Sequence, residues 1–275
     1  MQPLEIGVIF WAAGDPRETL RGLKALGAKA GQLGLPGNYS LEGAASRWKQ
    51  ALADEQFELA TVVCAYNGED YADVPTVERT VGFIPRATRR ERVERTLAAS
   101  DFARELGVGS IACHVGFVPH SPDNPNYIAV REAVRRICDH AGANGQTFAL
   151  ETGQEPAEVL AAFIKDVNRP NLAINFDPAN MILYGTGDPI QALETVFPWV
   201  VSVHCKDGVW PAKAGALGVE TPLGKGAVGM DKFIAKLKSL GYKGILSIER
   251  EIDNTEEKKA DIRTAVELLE RLRAA

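Results

Sequence analysis

The sequence has few cysteines and no excess of positive charge. Its four cysteines are widely spaced and form no C-x-x-C pair, so neither a disulfide framework nor a zinc knuckle is expected. The formal net charge is −5, whereas proteins that bind phosphate backbones usually carry a basic surface. These features argue against a small disulfide-stabilised scaffold and against a nucleic-acid partner.

The sequence also lacks the marks of membrane insertion and export. No apolar run has the length that a bilayer requires. The first residues have neither the basic start nor the small-residue cleavage site of a signal peptide. We therefore expect a cytoplasmic protein with no membrane partner.

Eight short apolar runs alternate with segments of helical periodicity. The runs cover residues 4–10, 28–35, 58–66, 109–116, 146–152, 171–177, 199–205 and 244–249. Eight strand and helix units over about 250 residues are the size and order of a (β/α)₈ barrel. We predict an α/β fold with a single TIM-barrel domain over residues 1–275. An open doubly wound sheet is the alternative, but no G-x-G-x-x-G follows the first strand.

Glycines and one long segment mark where the predicted elements end. Helices are expected to stop at Gly27, Gly107, Gly142 and Gly241, because glycine adopts the left-handed C-cap conformation without strain. The long irregular segment, residues 66–88, follows the third strand. We predict a lid or binding loop there, with a packed surface excursion as the alternative.

Titratable residues lie near the ends of five predicted strands, all on one face. Side chains alternate across a strand, so residues two apart share a face. By this parity the face opposite the apolar one carries His114, Glu151, Asp177, His204 and Glu249. In a barrel the apolar face meets the helices and the other face lines the interior. The five side chains are therefore predicted to gather at the carboxyl end of the barrel, where barrel enzymes hold their active sites.

Four of these residues form an oxygen-rich ligand set: Glu151, Asp177, His204 and Glu249. Three carboxylates in one place raise one another's pKa unless a cation neutralises them. Carboxylates with a single imidazole suit Mn²⁺, Mg²⁺ or Co²⁺, whereas zinc more often has further His or Cys ligands. We predict one divalent metal ion here, with Mn²⁺ ahead of Mg²⁺ and Co²⁺. Taken one at a time, each carboxylate could instead be a surface residue at a loop edge.

Several motifs occur in an order that resembles a known family. They are LETGQE at 150–155, NFDPANM at 175–181, HCKDG at 204–208 and SIERE at 247–251, with LGKG at 223–226. The chain is similar over almost its whole length to the sugar phosphate isomerase/epimerase group of the xylose isomerase-like TIM barrels. The motifs are specific for the superfamily and much less so for the substrate.

The resemblance implies roles for the four ligand residues. In ketose 3-epimerases of this group, a Glu, an Asp, a His and a second Glu bind one divalent metal, and the two Glu also act as acid and base. By position, Glu151 and Glu249 would be that catalytic pair. Barrels of this group often form homo-oligomers, although no exposed apolar stripe in this sequence argues for it.

Other positions are expected to bind substrate, and some depart from the family pattern. The epimerases have a His where this chain has Asn180, and an Arg where the nearest cation is Lys206. Glu155 is the closest counterpart of their substrate-contacting Glu, at a different spacing. The remaining candidates are His114, Gln32, Trp210 and Trp11. Core packing for His114 and the tryptophans, and an ion pair between Lys206 and Asp207, are the structural alternatives.

These residues together predict a divalent-metal-dependent sugar isomerase or epimerase of carbohydrate metabolism. It would remove a proton next to a keto-sugar carbonyl and pass through an enediolate that the metal stabilises. A lyase or dehydratase acting on a keto-sugar, an inosose or a 3-keto-glycoside could use the same intermediate. A non-catalytic sugar-binding relative and an apurinic-site endonuclease are less favoured, since both Glu are present and the chain has four His in total. The GKG at 224–226 could bind phosphate or form only a turn.

Overall fold

The computed structural model describes residues 4–213, 215–253 and 256–275. Ten strands lie in these ranges: β1 (Ile6–Trp11), β2 (Ala30–Leu35), β3 (Glu58–Cys64), β4 (Ser110–Cys113), β5 (Thr147–Glu151), β6 (Leu172–Phe176), β7 (Val200–Cys205), β8 (Asp207–Val209), β9 (Val219–Thr221) and β10 (Leu246–Ile248). Eight of them close a parallel barrel in the order β1, β10, β7, β6, β5, β4, β3, β2. The predicted (β/α)₈ TIM barrel is therefore confirmed, with β10 as its eighth strand. The two remaining strands, β8 and β9, form an antiparallel pair directly after β7, which the sequence did not predict.

Helices connect the barrel strands and cover the outside of the sheet. Those in the described ranges are α1 (Pro16–Ala25), α2 (Ala44–Glu55), α3 (Val74–Thr80), α4 (Arg89–Leu106), α5 (Pro125–Ala143), α6 (Ala157–Val167), α7 (Pro178–Tyr184), α8 (Pro189–Val196), α9 (Met230–Ser239) and α10 (Glu256–Ala274). A short 3₁₀ helix, Phe197–Trp199, leads into β7.

Side-chain caps and prolines fix where several helices begin. The carboxylates of Asp15, Asp73, Asp177 and Asp188 and the amide of Asn124 each accept backbone N–H groups of the first helical turn. A proline occupies the first or second position of each of these helices. Proline there sacrifices no hydrogen bond, because those N–H groups have no partner within the helix.

Three of the four predicted glycine stops are confirmed. Gly27, Gly107 and Gly241 all have positive φ just after a helix. Gly142 was predicted wrongly, because it lies inside α5. The left-handed residue after that helix is Gly145, with φ of +72°.

Alternate strand residues face two different environments, as the parity predicted. Phe148, Phe176 and Val203 are fully buried in the large core between the strands and the helices. A second, small cluster lies inside the barrel and consists of Ile9, Val63, Ala112, Ala149 and Ala173. Because these interior side chains are mostly small, the polar side chains on the same face have room to reach one another.

The segment after β3 contains a helix that the sequence did not indicate. Residues 66–88 were expected to be irregular, but α3 lies within them. The buried guanidinium of Arg92 donates to the carbonyl oxygens of Thr80, Gly82 and Asn67. Both ends of the segment are therefore tied to α4. Among the described residues, no helix combines the length and the apolar character needed to cross a membrane.

Candidate metal and active site

Four buried residues bring their ligand atoms together at the carboxyl end of the barrel. Glu151 is the last residue of β5, Asp177 follows β6, His204 lies in β7 and Glu249 follows β10. One ligand atom from each lies within 4.8 Å of the others. These are the four residues that the sequence predicted as one metal-binding group.

Three atoms of this group have no hydrogen-bond partner in the described chain. They are Oδ2 of Asp177, Nδ1 of His204 and Oε2 of Glu249, and all are buried. His204 Nδ1 lies 2.9 Å from Glu249 Oε2, 3.4 Å from Glu151 Oε1 and 3.5 Å from Asp177 Oδ2. A buried polar atom without a partner costs about 1–3 kcal/mol, and more when charged. A divalent cation would satisfy all three atoms at once, so the donor set fits a metal of the Mn²⁺ or Mg²⁺ type.

Asp177 shows how local structure aims a ligand at the site. Its Oδ1 accepts the backbone N–H groups of Ala179 and Asn180, which caps α7. Thr152 Oγ1 accepts the Asp177 N–H at 2.8 Å and donates to the Asp177 carbonyl at 3.0 Å. These bonds fix the carboxylate with one oxygen in the cap and the other, Oδ2, facing the group.

Neighbouring charges decide how the buried groups titrate without a metal. Burial alone would raise the pKa of Glu151, but the imidazoles of His114 and His204 outweigh it and hold that pKa well below its usual range. Burial would lower the pKa of His204, but the carboxylates of Glu249 and Glu151 raise it well above its usual value. A proton on the imidazole therefore partly offsets the negative charge that a metal ion would neutralise.

Lys206 adds a buried positive charge beside the four ligands. Its Nζ lies 3.4 Å from Glu249 Oε2 and 3.8 Å from Asp177 Oδ2, and it donates to Asn180 Oδ1 and to the Glu251 carboxylate. The alternative ion pair with Asp207 is not formed. Burial would lower the pKa of Lys206, but these carboxylates raise it. Its ammonium group is therefore charged in the cavity.

His114 lies on the other side of Glu151. Its Nε2 is 3.3 Å from Glu151 Oε1, and Gln154 Nε2 lies 3.2 Å from its Nδ1. Burial opposes the charged imidazole, but Glu151 outweighs it and raises the pKa of His114 to about 9. The ring of Tyr71 packs against it at 5.9 Å. His114 is therefore placed both to orient Glu151 and to donate a proton into the cavity.

A cavity of about 410 Å³ opens above the four ligands. Its lining includes six of the residues predicted from the sequence, namely Trp11, His114, Glu151, Asn180, Lys206 and Glu249. Asn180 Nδ2 donates to Glu151 Oε1 at 3.2 Å, so this amide connects Lys206 with the carboxylate. This volume suits a small ligand.

Three residues predicted to bind substrate lie outside the lining of this cavity. Gln32 is fully buried beneath the ligands, because it lies in the middle of β2 rather than at its end. Glu155 is buried and accepts the Val118 N–H, so its carboxylate points at a neighbouring loop. Trp210 is 46% exposed. The structure thus gives these residues other surroundings than the sequence suggested.

Several cavity residues were missed because none of them lies in a barrel strand or directly after one. They are Glu69, Tyr71, Tyr184, Glu220 and Glu251. Glu69 accepts the N–H groups of Tyr66 and Gly82, which fixes its carboxylate in the wall, and burial raises its pKa. The parity argument covers only the barrel strands and their ends, so it could not find them. The length of the 66–88 segment was the one available signal.

The GKG segment forms a turn whose amides are already used. Asp207 Oδ2 accepts the N–H groups of Gly224 and Gly226, and Oδ1 accepts the N–H of Val228. A Cβ at Gly226 would lie 2.2 Å from Asp207 Oδ1. Because a carboxylate already fills the position that an anion would take, the turn interpretation is the better supported of the two.

A family model described as xylose isomerase-like TIM barrel matches residues 20–272. A crystal structure of a xylose isomerase domain protein from Planctomyces limnophilus is 40% identical, covers 98% of both chains and has a TM-score of 0.93.

Two further solved structures share the fold at lower identity. The apo form of the 3-keto-D-glucoside 4-epimerase YcjR from Escherichia coli is 16% identical, covers 98% of this chain and 99% of that one, and has a TM-score of 0.72. A xylose isomerase-like TIM barrel protein from Mycobacterium smegmatis, in complex with magnesium, is 18% identical with a TM-score of 0.70 and covers 100% and 97%. At these identities the likeness shows the fold alone.

Two curated relatives, both described as uncharacterized, match only part of their own length. They are MJ1311 from Methanocaldococcus jannaschii and YihM from Escherichia coli, and the match spans 65% and 45% of them.

Proposed function

Because the chain belongs to the xylose isomerase-like TIM barrel family, we propose that it is a divalent-metal-dependent isomerase or epimerase of a keto-sugar. The observation that carries this proposal is the group of three unpaired buried ligand atoms on Asp177, His204 and Glu249. They lie beside Glu151, beneath a cavity large enough for a small ligand.

The metal would be held by Glu151, Asp177, His204 and Glu249. When bound, a divalent ion polarises the carbonyl of the substrate and lowers the pKa of the adjacent C–H. Mn²⁺ is proposed ahead of Mg²⁺ and Co²⁺ on the three carboxylates and one imidazole. The magnesium complex of the Mycobacterium smegmatis protein supports a divalent ion in this fold.

Glu151 and Glu249 would move the protons. Both line the cavity, and they come from strands on different sides of the barrel. A carboxylate on one side of the bound sugar can take a proton from carbon, while the other carboxyl returns one to the opposite face, which inverts that centre. Return of the proton to the neighbouring carbon would instead interconvert an aldose and a ketose.

Lys206, Asn180 and His114 would hold the oxygens of the substrate. All three line the cavity beside the carboxylates. The Lys206 ammonium and the protonated His114 can stabilise negative charge that develops on an oxygen when the C–H bond breaks. The Asn180 amide already connects Lys206 with Glu151 and would orient a hydroxyl between them.

The charges of the cavity favour a neutral, unphosphorylated sugar. Five carboxylates line it, those of Glu69, Glu151, Glu220, Glu249 and Glu251. The amides of the GKG turn are bound to Asp207. A phosphate group would therefore meet repulsion without a dedicated partner.

A lyase or dehydratase acting on a keto-sugar is the second candidate, and His114 favours it. Burial opposes its charge, but Glu151 raises its pKa to about 9, so it can donate a proton at neutral pH. Elimination needs such a donor to carry away the leaving hydroxyl as water. The proton removed from the carbon next to the carbonyl, and the carboxylate that removes it, would be the same as in the isomerase.

Proton NMR in D₂O tests the proposal and separates the two candidates. Metal-free protein is loaded with Mn²⁺, incubated with unphosphorylated ketoses, inososes and 3-keto sugars, and freed of metal before the spectra are recorded. Exchange at the carbon next to the carbonyl, without loss of water, is the expected result. A dehydrated product would support the lyase. A Glu249→Gln variant that exchanges as fast as the wild type would contradict both.

A further inference from the structure

Gln32 is bound to the one imidazole of the ligand group. Its Oε1 lies 2.9 Å from Nε2 of His204, the ring nitrogen that points away from the other ligands. Its Nε2 donates to Asn175 Oδ1 at 3.2 Å. Gln32 and His204 are both fully buried inside the barrel, so water does not compete for this contact.

We propose that Gln32 is a positioning residue that selects the metal-binding tautomer of His204. A neutral imidazole carries one proton, and only the nitrogen without it can bind a metal ion. In His204 the nitrogen facing the carboxylates is Nδ1. Gln32 Oε1 accepts a hydrogen bond and cannot donate one, so it keeps the proton on Nε2 and leaves the Nδ1 lone pair facing the ligand group.

The surrounding hydrogen bonds fix which end of the Gln32 amide faces the ring. Asn175 Oδ1 accepts from Ser202 Oγ at 2.6 Å and from Gln32 Nε2. The Gln32 amide nitrogen therefore donates to Asn175, and the amide oxygen faces Nε2 of His204. Reversing the amide would place two oxygens, Gln32 Oε1 and Asn175 Oδ1, against each other.

Asn175 favours the other tautomer of His204, because its amide nitrogen faces the same ring nitrogen, Nε2. Its Nδ2 lies 3.0 Å from His204 Nε2 and can donate only when that nitrogen has no proton. Such an imidazole would carry its proton on Nδ1 and could not bind a metal there. Removal of Gln32 leaves Asn175 as the remaining partner, so the ring should shift toward the tautomer that excludes the metal.

The role of Gln32 rests on the metal site of the proposed function, and Mn²⁺ affinity tests it. Isothermal titration of the metal-free protein compares wild type, Gln32→Met, Gln32→Glu and Ser247→Ala. We expect Gln32→Met to bind Mn²⁺ about 10- to 100-fold more weakly, as is typical when the partner of a ligand histidine is lost. Gln32→Glu again supplies an acceptor and should restore most of the affinity. Ser247 neighbours His204 in the sheet, is fully buried, and its hydroxyl has no hydrogen-bond partner in the described chain, so Ser247→Ala should match the wild type.

Ring nitrogen NMR gives a second measurement that does not depend on the variants folding. In ¹⁵N-labelled wild type loaded with Mg²⁺, His204 should show a protonated Nε2 and an unprotonated Nδ1. The reverse pattern, or equal Mn²⁺ affinity of the wild type and Gln32→Met, would overturn the role of Gln32 alone. A wild type that binds no Mn²⁺ would overturn the proposed function and this role with it.

Discussion

His204 Nδ1 lies 2.9 Å from Glu249 Oε2, yet neither atom makes a hydrogen bond. Both atoms are buried, and Asp177 Oδ2 lies 3.5 Å from the same nitrogen, also without a partner. Buried polar atoms in proteins usually have hydrogen-bond partners, and these three atoms have none in the described chain. Their shared orientation toward one point is the arrangement that a bound cation requires.

The Asp177→Asn variant should lose metal affinity and keep its fold. Its Oδ1 can still accept the N–H groups that cap α7, while the charge on Oδ2 is gone. Titration should show Mn²⁺ binding weaker by more than about tenfold, because even loss of a group behind a ligand costs that much. Asp177→Ala should also lose the cap and about 1 kcal/mol of unfolding free energy. Unchanged affinity in Asp177→Asn would exclude Oδ2 as a ligand.

Removal of metal should lower the melting temperature. A ligand that binds only the native state stabilises it by about 2.7 kcal/mol at 100 times its Kd. For a chain of this size that corresponds to a rise of about 5–10 °C over the metal-free protein. Calorimetric scans with chelator and with Mn²⁺ check this, with Asp177→Asn as the control that should show a smaller rise.

Replacement of Lys206 by Met should separate catalysis from metal binding. The ammonium lies 3.4 Å from Glu249 Oε2, where it repels a metal ion and can hold a substrate oxygen. We predict that kcat/KM falls about 10- to 100-fold, the value of one charged hydrogen bond, while Mn²⁺ affinity holds or rises. Weaker Mn²⁺ binding by Lys206→Met would show instead that Lys206 supports the metal site.

Glu155 should make the unfolding free energy fall as pH rises. Burial raises the pKa of Glu155 to about 7, so the native state holds a proton that the unfolded state has already released. Stability from this proton is complete at pH 4 and is lost as pH rises toward 8, by about 3 kcal/mol at about 1.4 kcal/mol per pKa unit. Glu155→Gln still accepts the Val118 N–H but cannot titrate. Urea unfolding at pH 5 and pH 8 should therefore show a larger loss in the wild type than in Glu155→Gln, where only the other titrating groups contribute, and equal losses in both would contradict it.

Lys225 should be irrelevant to the substrate if the sugar is unphosphorylated. It is exposed in the GKG turn, whose amides bind Asp207. Lys225→Ala should leave kcat and KM within about twofold of the wild type, since surface substitutions away from a site have small effects. Gly226→Ala is the structural contrast, because its Cβ would clash with Asp207 and should destabilise the turn. A KM raised tenfold or more in Lys225→Ala would instead support a phosphorylated substrate.

Strand parity identified the barrel and the ligand group from the sequence alone. Glu151, Asp177, His204 and Glu249 could be found because each stands at or next to the end of a strand with a clear apolar face. Parity says which face a residue occupies but not how deep it lies. Gln32 shares the interior face, yet it lies in the middle of β2, beneath the cavity.

The cavity wall depends on tertiary contacts that no local pattern encodes. Glu69 is in place because Tyr66 and Gly82, far apart in sequence, both donate to it. The Glu155 carboxylate lies outside the cavity lining because it accepts the N–H of Val118, which lies in another loop. The homo-oligomer and the cytoplasmic location stay predictions from the sequence.

Anomalous diffraction from crystals soaked in Mn²⁺ would locate the bound metal ion. We expect one strong peak per chain, within bonding distance of Glu151, Asp177, His204 and Glu249, and no peak there in Asp177→Asn crystals. Wild-type crystals with no peak at that point, while the four side chains bond to one another or to water instead, would contradict the proposed metal site.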